Sequence, residues 1–230
     1  MDSMSPERPL DTAAQIFEAE ALPRGRHNLS RDRVLASQRT RLLRSMAELV
    51  GSQGYGATTV PEVVAHARVS RNAFYELFND KIDCFIAVCD ELATELLDDM
   101  ASVDTDEGWL PALREGMHRY LGAWQQRRSF TRAYFVELPA AGPQAVEQRD
   151  RQTHRFFRLF QRVAERAREE HPSLPPLAPF AVTLAVLGVT EVIAHEVRAG
   201  RVDHLMELEP HMVRFVAMML ANEEIAGKVV

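Results

Sequence analysis

The sequence has little that would build a disulfide-bonded or metal-held scaffold, since it contains only two cysteines, Cys84 and Cys89, among 230 residues. On a helix, side chains five positions apart point in directions about 140° apart, so these two thiols cannot easily form a disulfide. Too few metal ligands lie nearby for a zinc site. We expect both cysteines to be small core residues, with a redox switch as the alternative.

Long apolar runs are also missing. No stretch approaches the ~20 residues that a membrane-spanning helix needs. The N-terminus lacks the charged-then-apolar pattern of a signal peptide. The sequence therefore predicts no membrane partner and a cytoplasmic location.

Motifs for catalysis and cofactor binding are missing as well. There is no HExxH pair and no Gly-rich phosphate loop, and neither Ser70 nor Ser129 stands in a nucleophile-elbow pattern. Glu191 and His195 share a helix face at a spacing that metal ligands use. Two ligands make a poor metal site, so hydrogen bonding in the core or an interface is the better interpretation. We expect no enzyme, no cofactor and no metal.

Alternating strand patterns of any length are absent from the sequence, which leaves helices. Apolar residues make up 46% of the chain, which is enough for a real core. Proline and glycine breaks divide the second half of the chain into predicted helices at about 108–127, 130–138, 143–171, 178–200 and 206–223. The sequence therefore predicts an all-α protein.

The negative net charge of −6 is unevenly distributed along the chain. Between Arg24 and Lys81 ten basic residues face five acidic ones, so this segment carries +5 and the remainder −11. A basic end on an acidic body can bind DNA while the body stays off it.

Within the basic segment, residues 58–81 read as two short helices joined by a tight turn. The hydroxyl of Thr59 can accept the backbone N–H of Glu62, whose side chain reaches back to complete a capping box. Ser70 then caps a second helix over residues 71–78. This layout is that of a helix-turn-helix, whose second helix enters the major groove of DNA.

The residues expected to face outward from the second helix have the chemistry of DNA readout. Arg71 can donate two hydrogen bonds to guanine, and Asn72 can pair in the same way with adenine. Tyr75 and Lys81 suit phosphate oxygens, which fix position without reading sequence. The predicted DNA-binding residues are Thr59, Ser70, Arg71, Asn72, Ala73, Tyr75 and Lys81.

This stretch resembles the tetracycline-repressor (TetR) family of bacterial transcriptional regulators. The resemblance covers roughly residues 31–97 and includes the upstream helix QRTRLLRSMAELV. The matching residues are Gly54-Tyr55, Thr59-Val60, Val69-Ser70-Arg71, Phe74-Tyr75, Phe78 and Lys81. One position departs from the family pattern, because the turn usually carries glycine and here carries Arg68. A positive φ at that residue costs of order 1 kcal/mol.

The resemblance implies a three-helix helix-turn-helix domain followed by a helical ligand-binding and dimerisation domain. The expected segments are a flexible basic arm at 1–29, a DNA-binding domain at 30–80 with its motif at about 59–78, and an effector-binding and dimerisation domain at 81–230. The arm is either a disordered tail or a segment that lies along the minor groove. Likewise, Arg39, Arg41 and Arg44 of the first helix either approach the DNA backbone or form a solvated face.

Aromatic and apolar side chains recur through the second domain, and most of them must be ordinary core. The alternative is that a subset lines a pocket for a small hydrophobic effector, which His118, Tyr120 and Thr131 could orient. The predicted pocket residues are Trp109, Leu113, Met117, Leu121, Trp124, Tyr134, Phe135 and Phe157.

The last two predicted helices carry more apolar surface than one monomer needs to cover. In the resembling family the final two helices form a four-helix dimer interface. The residues expected in such an interface here are Leu184, Val189, Val192, Met212, Phe215 and Met219.

These features favour a homodimeric repressor that binds a palindromic DNA operator and is released by a small hydrophobic effector. The alternative is an all-helical ligand-sequestering or protein-interaction module whose helix-turn-helix does not read DNA. Arg68 in the turn and the acidic total charge weakly favour that alternative. A gel shift separates the two hypotheses.

Overall fold

The computed structural model describes residues 30–103, 106–174, 176–178 and 180–220. Within these ranges the chain forms helices and no strand, which confirms the all-α prediction. The α-helices are α1 (Arg31–Gln53), α2 (Val60–Ala67), α3 (Arg71–Leu77), α4 (Lys81–Ala101), α5 (Trp109–Gln126), α6 (Arg128–Arg132), α7 (Pro143–Glu170), α8 (Ala181–Arg198) and α9 (Glu209–Leu220). The predicted arm at 1–29 lies outside the described residues.

Polar caps set the starts of the first four helices. The Ser30 hydroxyl accepts the N–H of the third residue of α1 at 3.3 Å. At α2, Thr59 and Glu62 form the predicted capping box, in which the Thr59 N–H donates to Glu62 Oε2 at 2.8 Å. Ser70 caps α3 and Asp80 caps α4 in the same manner as Ser30. Each cap satisfies N–H groups that the helix itself leaves unpaired.

In the turn between α2 and α3, Arg68 adopts the left-handed region with φ 54°. This is the position at which the family pattern usually has glycine. Hydrogen bonds from α1 support this turn, since Arg41 Nη1 donates to the carbonyls of Ala67 at 3.2 Å and Arg68 at 3.4 Å. Partial burial lowers the pKa of Arg41 from its usual value. Arg41 therefore lies between helices. This position differs from both alternatives predicted for it, a solvated face and a site near the DNA backbone.

Helices α1, α2 and α3 enclose a small core that is continuous with the core of the body. Phe74 of α3 and Phe85 of α4 are fully buried against α1. Cys84 and Cys89 of α4 are buried free thiols, as predicted, and burial raises the pKa of both. Because the core crosses residue 80, the division of the chain at that residue stays a prediction.

Among the contacts that join the head, α1–α3, to the body, two involve the end of α1 and the loop that follows it. Gly51 near the end of α1 lies directly against the backbone of Ser129 in α6. Further along, the backbone N–H of Tyr55 donates to Glu137 Oε2 at 3.0 Å. Glu137 ends a π-helical turn over Ala133–Glu137, so this irregular turn reaches the loop that precedes α2.

An aromatic cluster centred on Trp124 fills the body. The Trp124 ring lies 5.4 Å from Phe130, 5.0 Å from Tyr134 and 4.8 Å from Phe135 between ring centroids. Such tilted and stacked pairs stabilise a core beyond the area that they bury. Three of the described elements meet here, because α5 carries Trp124 while α6 and the π-helical turn carry its partners.

Several predicted helix boundaries differ from the observed ones. The helix predicted over 130–138 is three pieces, namely α6, the π-helical turn and a 3-10 turn over Leu138–Ala140. The helix predicted over 206–223 begins later, since a 3-10 segment over Val202–Leu208 precedes α9. In the described residues, no helix is both long and apolar enough to cross a bilayer.

Candidate DNA-binding face, body cavity and apolar face

Helix α3 presents three of its predicted DNA contacts to solvent. Arg71, Asn72 and Tyr75 are exposed, and the Tyr75 side chain keeps 51% of its surface accessible. The helix is anchored from behind by Phe74 and Phe78, whose ring centroids lie 5.6 Å apart. A short helix with a buried aromatic face and an exposed polar face can dock in a major groove.

Ala73 corrects the sequence-based prediction, because its side chain is buried rather than outward-facing. Its backbone N–H donates to the Ser70 hydroxyl at 3.1 Å. Ser70 and Thr59 are both exposed and both occupied as helix caps. Their role in the described structure is to fix the starts of α3 and α2 beneath the exposed residues.

Lys81 is also placed differently from the prediction, which assigned it to a phosphate. Its Nζ donates to the carbonyls of Tyr55 at 2.8 Å and Thr58 at 2.9 Å. The same ammonium lies 4.0 Å from the centroid of the Tyr55 ring, a cation–π distance. Lys81 therefore ties the first turn of α4 to the loop before α2.

Ion pairs engage three of the seven arginines in the described head, Arg31, Arg39 and Arg44. Arg39 pairs with Glu91 of α4, and Arg44 pairs with Glu48 within α1. The exposed cations of the described head that make no such pair are Arg33, Arg68 and Arg71. The positive charge available to DNA phosphates is thus smaller than the count of arginines indicates.

The sequence analysis missed an ion pair that crosses the recognition surface. Arg31 at the start of α1 donates to Glu76 of α3 at 2.8 Å, and both side chains are exposed. Exposed pairs of this kind contribute about 0–1 kcal/mol. Nothing in the local pattern of either residue indicates the other, because 45 positions separate them.

A small cavity of about 20 Å³ lies within the body between α4, α5, the π-helical turn, α7 and α8. Its walls are Ala93, Leu97, Tyr120, Trp124, Tyr134, Arg149, Gln152, Thr153, Phe156 and Thr190. Of the eight predicted pocket residues, Trp124 and Tyr134 line it. The others do not, since Trp109, Leu113, Met117, Leu121 and Phe135 are buried core, and Phe157 is half-buried against His154.

The polar residues expected near an effector are divided in the same way. Tyr120 lines the cavity. His118 instead pairs with Glu209 at 2.7 Å, and the Thr131 hydroxyl donates to the Arg127 carbonyl at 3.1 Å. The sequence analysis missed Arg149 and Gln152 altogether, because polar residues of a long amphipathic helix give no sign of which ones turn inward.

A larger groove of about 400 Å³ opens on the surface between the end of α4 and the middle of α7. Three arginines line it, Arg155, Arg158 and Arg162, and Arg155 pairs with Asp98 at 3.1 Å. Leu97 lines both this groove and the inner cavity. The two openings therefore adjoin each other along α4.

Exposed apolar side chains of α8 and α9 form one continuous surface, which we name the two-helix face. The Phe215 ring lies so close to Gly188 that a Cβ there would stand 3.2 Å from it, which joins the two helices. The large exposed members of the two-helix face are Phe180, Leu184, Leu187, Val192, Phe215 and Met218. Side chains so grouped are typical of a protein–protein contact.

Three predicted interface residues belong to the two-helix face, and two are corrected. Leu184, Val192 and Phe215 are exposed on it, whereas Val189 and Met212 are buried within the monomer. Met219 is half-buried. Helical periodicity alone does not distinguish residues that pack into the monomer core from neighbouring residues on the same helix that are exposed.

Comparison with known proteins comes from a family model and from solved structures. Residues 42–88 match the family model described as bacterial regulatory proteins, tetR family. No curated protein sequence matches the chain.

Solved structures match most of the chain at low identity. FadR of Bacillus subtilis, solved with stearoyl-CoA, superposes with a TM-score of 0.67 at 13% identity, over 80% of this chain and 98% of that one. SmeT, the repressor of the multidrug efflux pump SmeDEF of Stenotrophomonas maltophilia, gives 0.66 at 16% identity, over 81% and 92%. TylP of Streptomyces fradiae, a TetR regulator, gives 0.63 at 18%, over 86% and 92%. These likenesses support the fold.

Proposed function

We propose that this chain, a TetR-family transcriptional regulator, binds a palindromic DNA operator as a homodimer and releases it when a small hydrophobic effector enters the body. In this proposal α3 reads one half-site per subunit, the two-helix face holds the dimer, and the inner cavity opens to take the effector. A cytoplasmic location, expected from the sequence, belongs to the same proposal.

The observation that carries the proposal is the path of α4. Lys81 at its start is bonded to the loop before α2, and Ala93 and Leu97 in its second half form a wall of the inner cavity. A ligand that moves this wall therefore moves a helix fixed to the DNA-binding head. Such a ligand can regulate only if it binds one arrangement of the heads better than the other.

Two of the similar proteins support the choice of effector. FadR of Bacillus subtilis was solved with stearoyl-CoA, which has a long apolar chain, and SmeT is the repressor of a multidrug efflux pump. The inner cavity has apolar walls at Ala93, Leu97 and Phe156, which suit an apolar ligand.

DNA readout is tested on α3. Arg71→Ala and Asn72→Ala are each expected to cost about 1–3 kcal/mol at the base pair that the side chain reads, because a paired donor is lost. Tyr75→Phe is expected to weaken binding to all sequences alike, because it removes an uncharged hydrogen bond to a phosphate. Gel shifts on an operator and its single-base variants, taken from genomic DNA that the protein retains, measure both effects.

An unchanged ranking of operator variants with Arg71→Ala contradicts base readout by that residue. Retention of no genomic DNA at all favours the alternative function, a helical ligand-binding or interaction module. Glu107→Ala, at an exposed position of the body, is the matched control and is expected to leave binding unchanged.

A second connection between cavity and head runs through the π-helical turn. Tyr134 of this turn lines the cavity, and Glu137 three residues on accepts the Tyr55 N–H. Single π-helical turns are frequent at functional sites. We propose that the turn transmits part of the effector signal.

Glu137→Ala is expected to leave effector binding in place while operator release by the effector weakens severalfold. Coupling energies of about 1–3 kcal/mol correspond to 5–150-fold changes in affinity, and this variant removes one of the two connections that carry the coupling. Operator affinity is measured with and without effector. Glu137→Gln keeps an oxygen that can accept from Tyr55 and serves as the control. Equal coupling in wild type and Glu137→Ala contradicts this route.

A further inference from the structure

Two buried polar atoms on side chains that line the inner cavity have no hydrogen-bond partner among the described residues. Trp124 Nε1 and Gln152 Oε1 are buried and make no hydrogen bond to the described residues. Their side chains are only 1% and 4% exposed. A buried polar group without a partner costs about 1–3 kcal/mol, so two on one small cavity need an explanation.

The orientation of Gln152 is fixed by α4. Its Nε2 donates to Asp90 Oδ1 and also to the Thr94 hydroxyl. Asp90 accepts in addition from Gln148. Since both partners of the Gln152 amide nitrogen can accept, the amide oxygen is the atom left without a partner.

Two tyrosines line the same cavity. Tyr120 and Tyr134 are both almost fully buried, at 5% and 8% exposure. Burial raises the pKa of both phenols, so both remain O–H donors at any physiological pH. The Trp124 N–H opposes the shift of the pKa of Tyr120, although the two groups do not reach hydrogen-bond geometry.

Arg149 supplies a positive charge at the same wall. It is half-buried, and no carboxylate of the described residues pairs with it, whereas Arg155 and Arg166 on the same helix both have acidic partners. Its charge lowers the pKa of Tyr134, while burial raises that pKa more strongly. Asp90, the neighbouring acid, is occupied by two glutamine amides.

The side chains at this cavity therefore include one indole N–H, two phenol hydroxyls and the guanidinium of Arg149, which has no acidic partner among the described residues. We propose that the cavity binds the carboxylate of an apolar carboxylic acid. Arg149 pairs with the negative charge, and Trp124 and one tyrosine donate to its oxygens.

The size of the cavity agrees with a head group rather than a whole ligand. About 20 Å³ holds little more than one water-sized group, since a single water needs about 10–15 Å³ on this measure. The apolar tail leaves past Leu97, which also lines the outer groove, and lies along Ala101 and Leu159 there. Shifting Leu97 moves the second half of α4.

This inference rests on the proposed function, because it names the chemical class of its effector, and it is tested without DNA. Isothermal titration of the full chain with decanoate, decanamide and decan-1-ol compares three head groups on one tail. Decanoate is expected to bind at least about tenfold more tightly than either neutral compound, as charge-assisted hydrogen bonds are worth about 1.5–3 kcal/mol.

Variants locate the head group. Arg149→Gln is expected to weaken decanoate binding at least about tenfold, and Tyr134→Phe severalfold, on the same scale of charged and neutral hydrogen bonds. Arg151→Gln, which changes an exposed arginine of the same helix that lines neither the cavity nor the groove, is the control and is expected to leave binding unchanged. Arg158→Gln tests instead for a head group in the outer groove. Thermal denaturation of each unliganded variant confirms that it is folded.

Three results overturn the proposal. If decanamide or decanol binds as tightly as decanoate, the cavity does not recognise a carboxylate. If Arg158→Gln abolishes binding and Arg149→Gln does not, the head group lies in the outer groove. If octanoate, decanoate and dodecanoate all fail to bind, the site does not exist. Decanoate that binds as expected but leaves operator affinity unchanged contradicts the proposed regulation and supports this inference.

Discussion

Replacing Gly51 with alanine is expected to destabilise the protein, although alanine is the better helix former. A Cβ at this position would stand 2.4 Å from the Ser129 carbonyl oxygen and 2.6 Å from its Cα. These are backbone atoms of α6, which cannot swing aside as the end of a side chain can. The gain in helix propensity is about 1 kcal/mol, whereas forced overpacking costs typically 1–3 kcal/mol and occasionally more.

The steric effect therefore exceeds the propensity effect, and α1 must separate from α6. Urea denaturation is expected to show a loss of about 1–3 kcal/mol in the free energy of unfolding. In thermal denaturation this corresponds to roughly 2–4 °C per kcal/mol for a chain of this size. Operator affinity is expected to fall as well, because the same contact positions the head relative to the body.

Gly122→Ala is the matched control within a helix. The nearest atom to a Cβ there is the Met206 sulfur at 3.6 Å, an ordinary contact. This variant is expected to be neutral or slightly more stable than wild type, since only the propensity gain applies. If Gly51→Ala matches Gly122→Ala in stability, the close contact between α1 and α6 is wrong.

The head could be predicted from the sequence because local chemistry determines it. Thr59 with Glu62 forms its capping box from residues three apart, and Ser70 caps α3 in the same local way. Arg68 takes the left-handed turn that the spacing of the two helices demands. Each of these features depends on neighbours within a few positions, which is the range that a pattern in one sequence reports.

The site in the body could not be predicted with the same success. Trp124 and Gln152 meet at one cavity from α5 and α7, and Lys81 bonds to carbonyls more than twenty positions away. Periodicity shows that a helix has an apolar face, but not which helix will cover it. For that reason Phe135 was expected in the pocket and lies in the core, while Arg149 was not expected there and lines it.

The same limitation applied to α8, where Val189 was expected in an interface and is 1% exposed in the monomer. An arginine at Val189 would disrupt the core of one subunit, so it cannot test assembly. Phe215 and Leu184, which are 39% and 55% exposed, are better choices, because they lie on the two-helix face and are not part of the buried core.

Phe215→Arg and Leu184→Arg are each expected to convert a dimer to monomers. An unpaired charge held in an apolar interface costs several kcal/mol, whereas in the monomer the same arginine remains in water. Light scattering at micromolar concentration measures the change of mass. The thermal stability of the monomer fold is expected to persist in circular dichroism, because both positions are solvent-exposed in a single chain.

Operator affinity is expected to fall much further than stability. A dimer that has placed one α3 in its half-site holds the second α3 at a high effective concentration, a gain of order 10²–10⁴-fold that monomers lose. Val146→Arg, which adds the same charge at a 45% exposed apolar residue of α7, is the control and is expected to leave both mass and affinity unchanged. Wild-type protein that is monomeric at micromolar concentration contradicts the dimer, and a dimeric Phe215→Arg that still binds operator tightly contradicts its placement on the two-helix face.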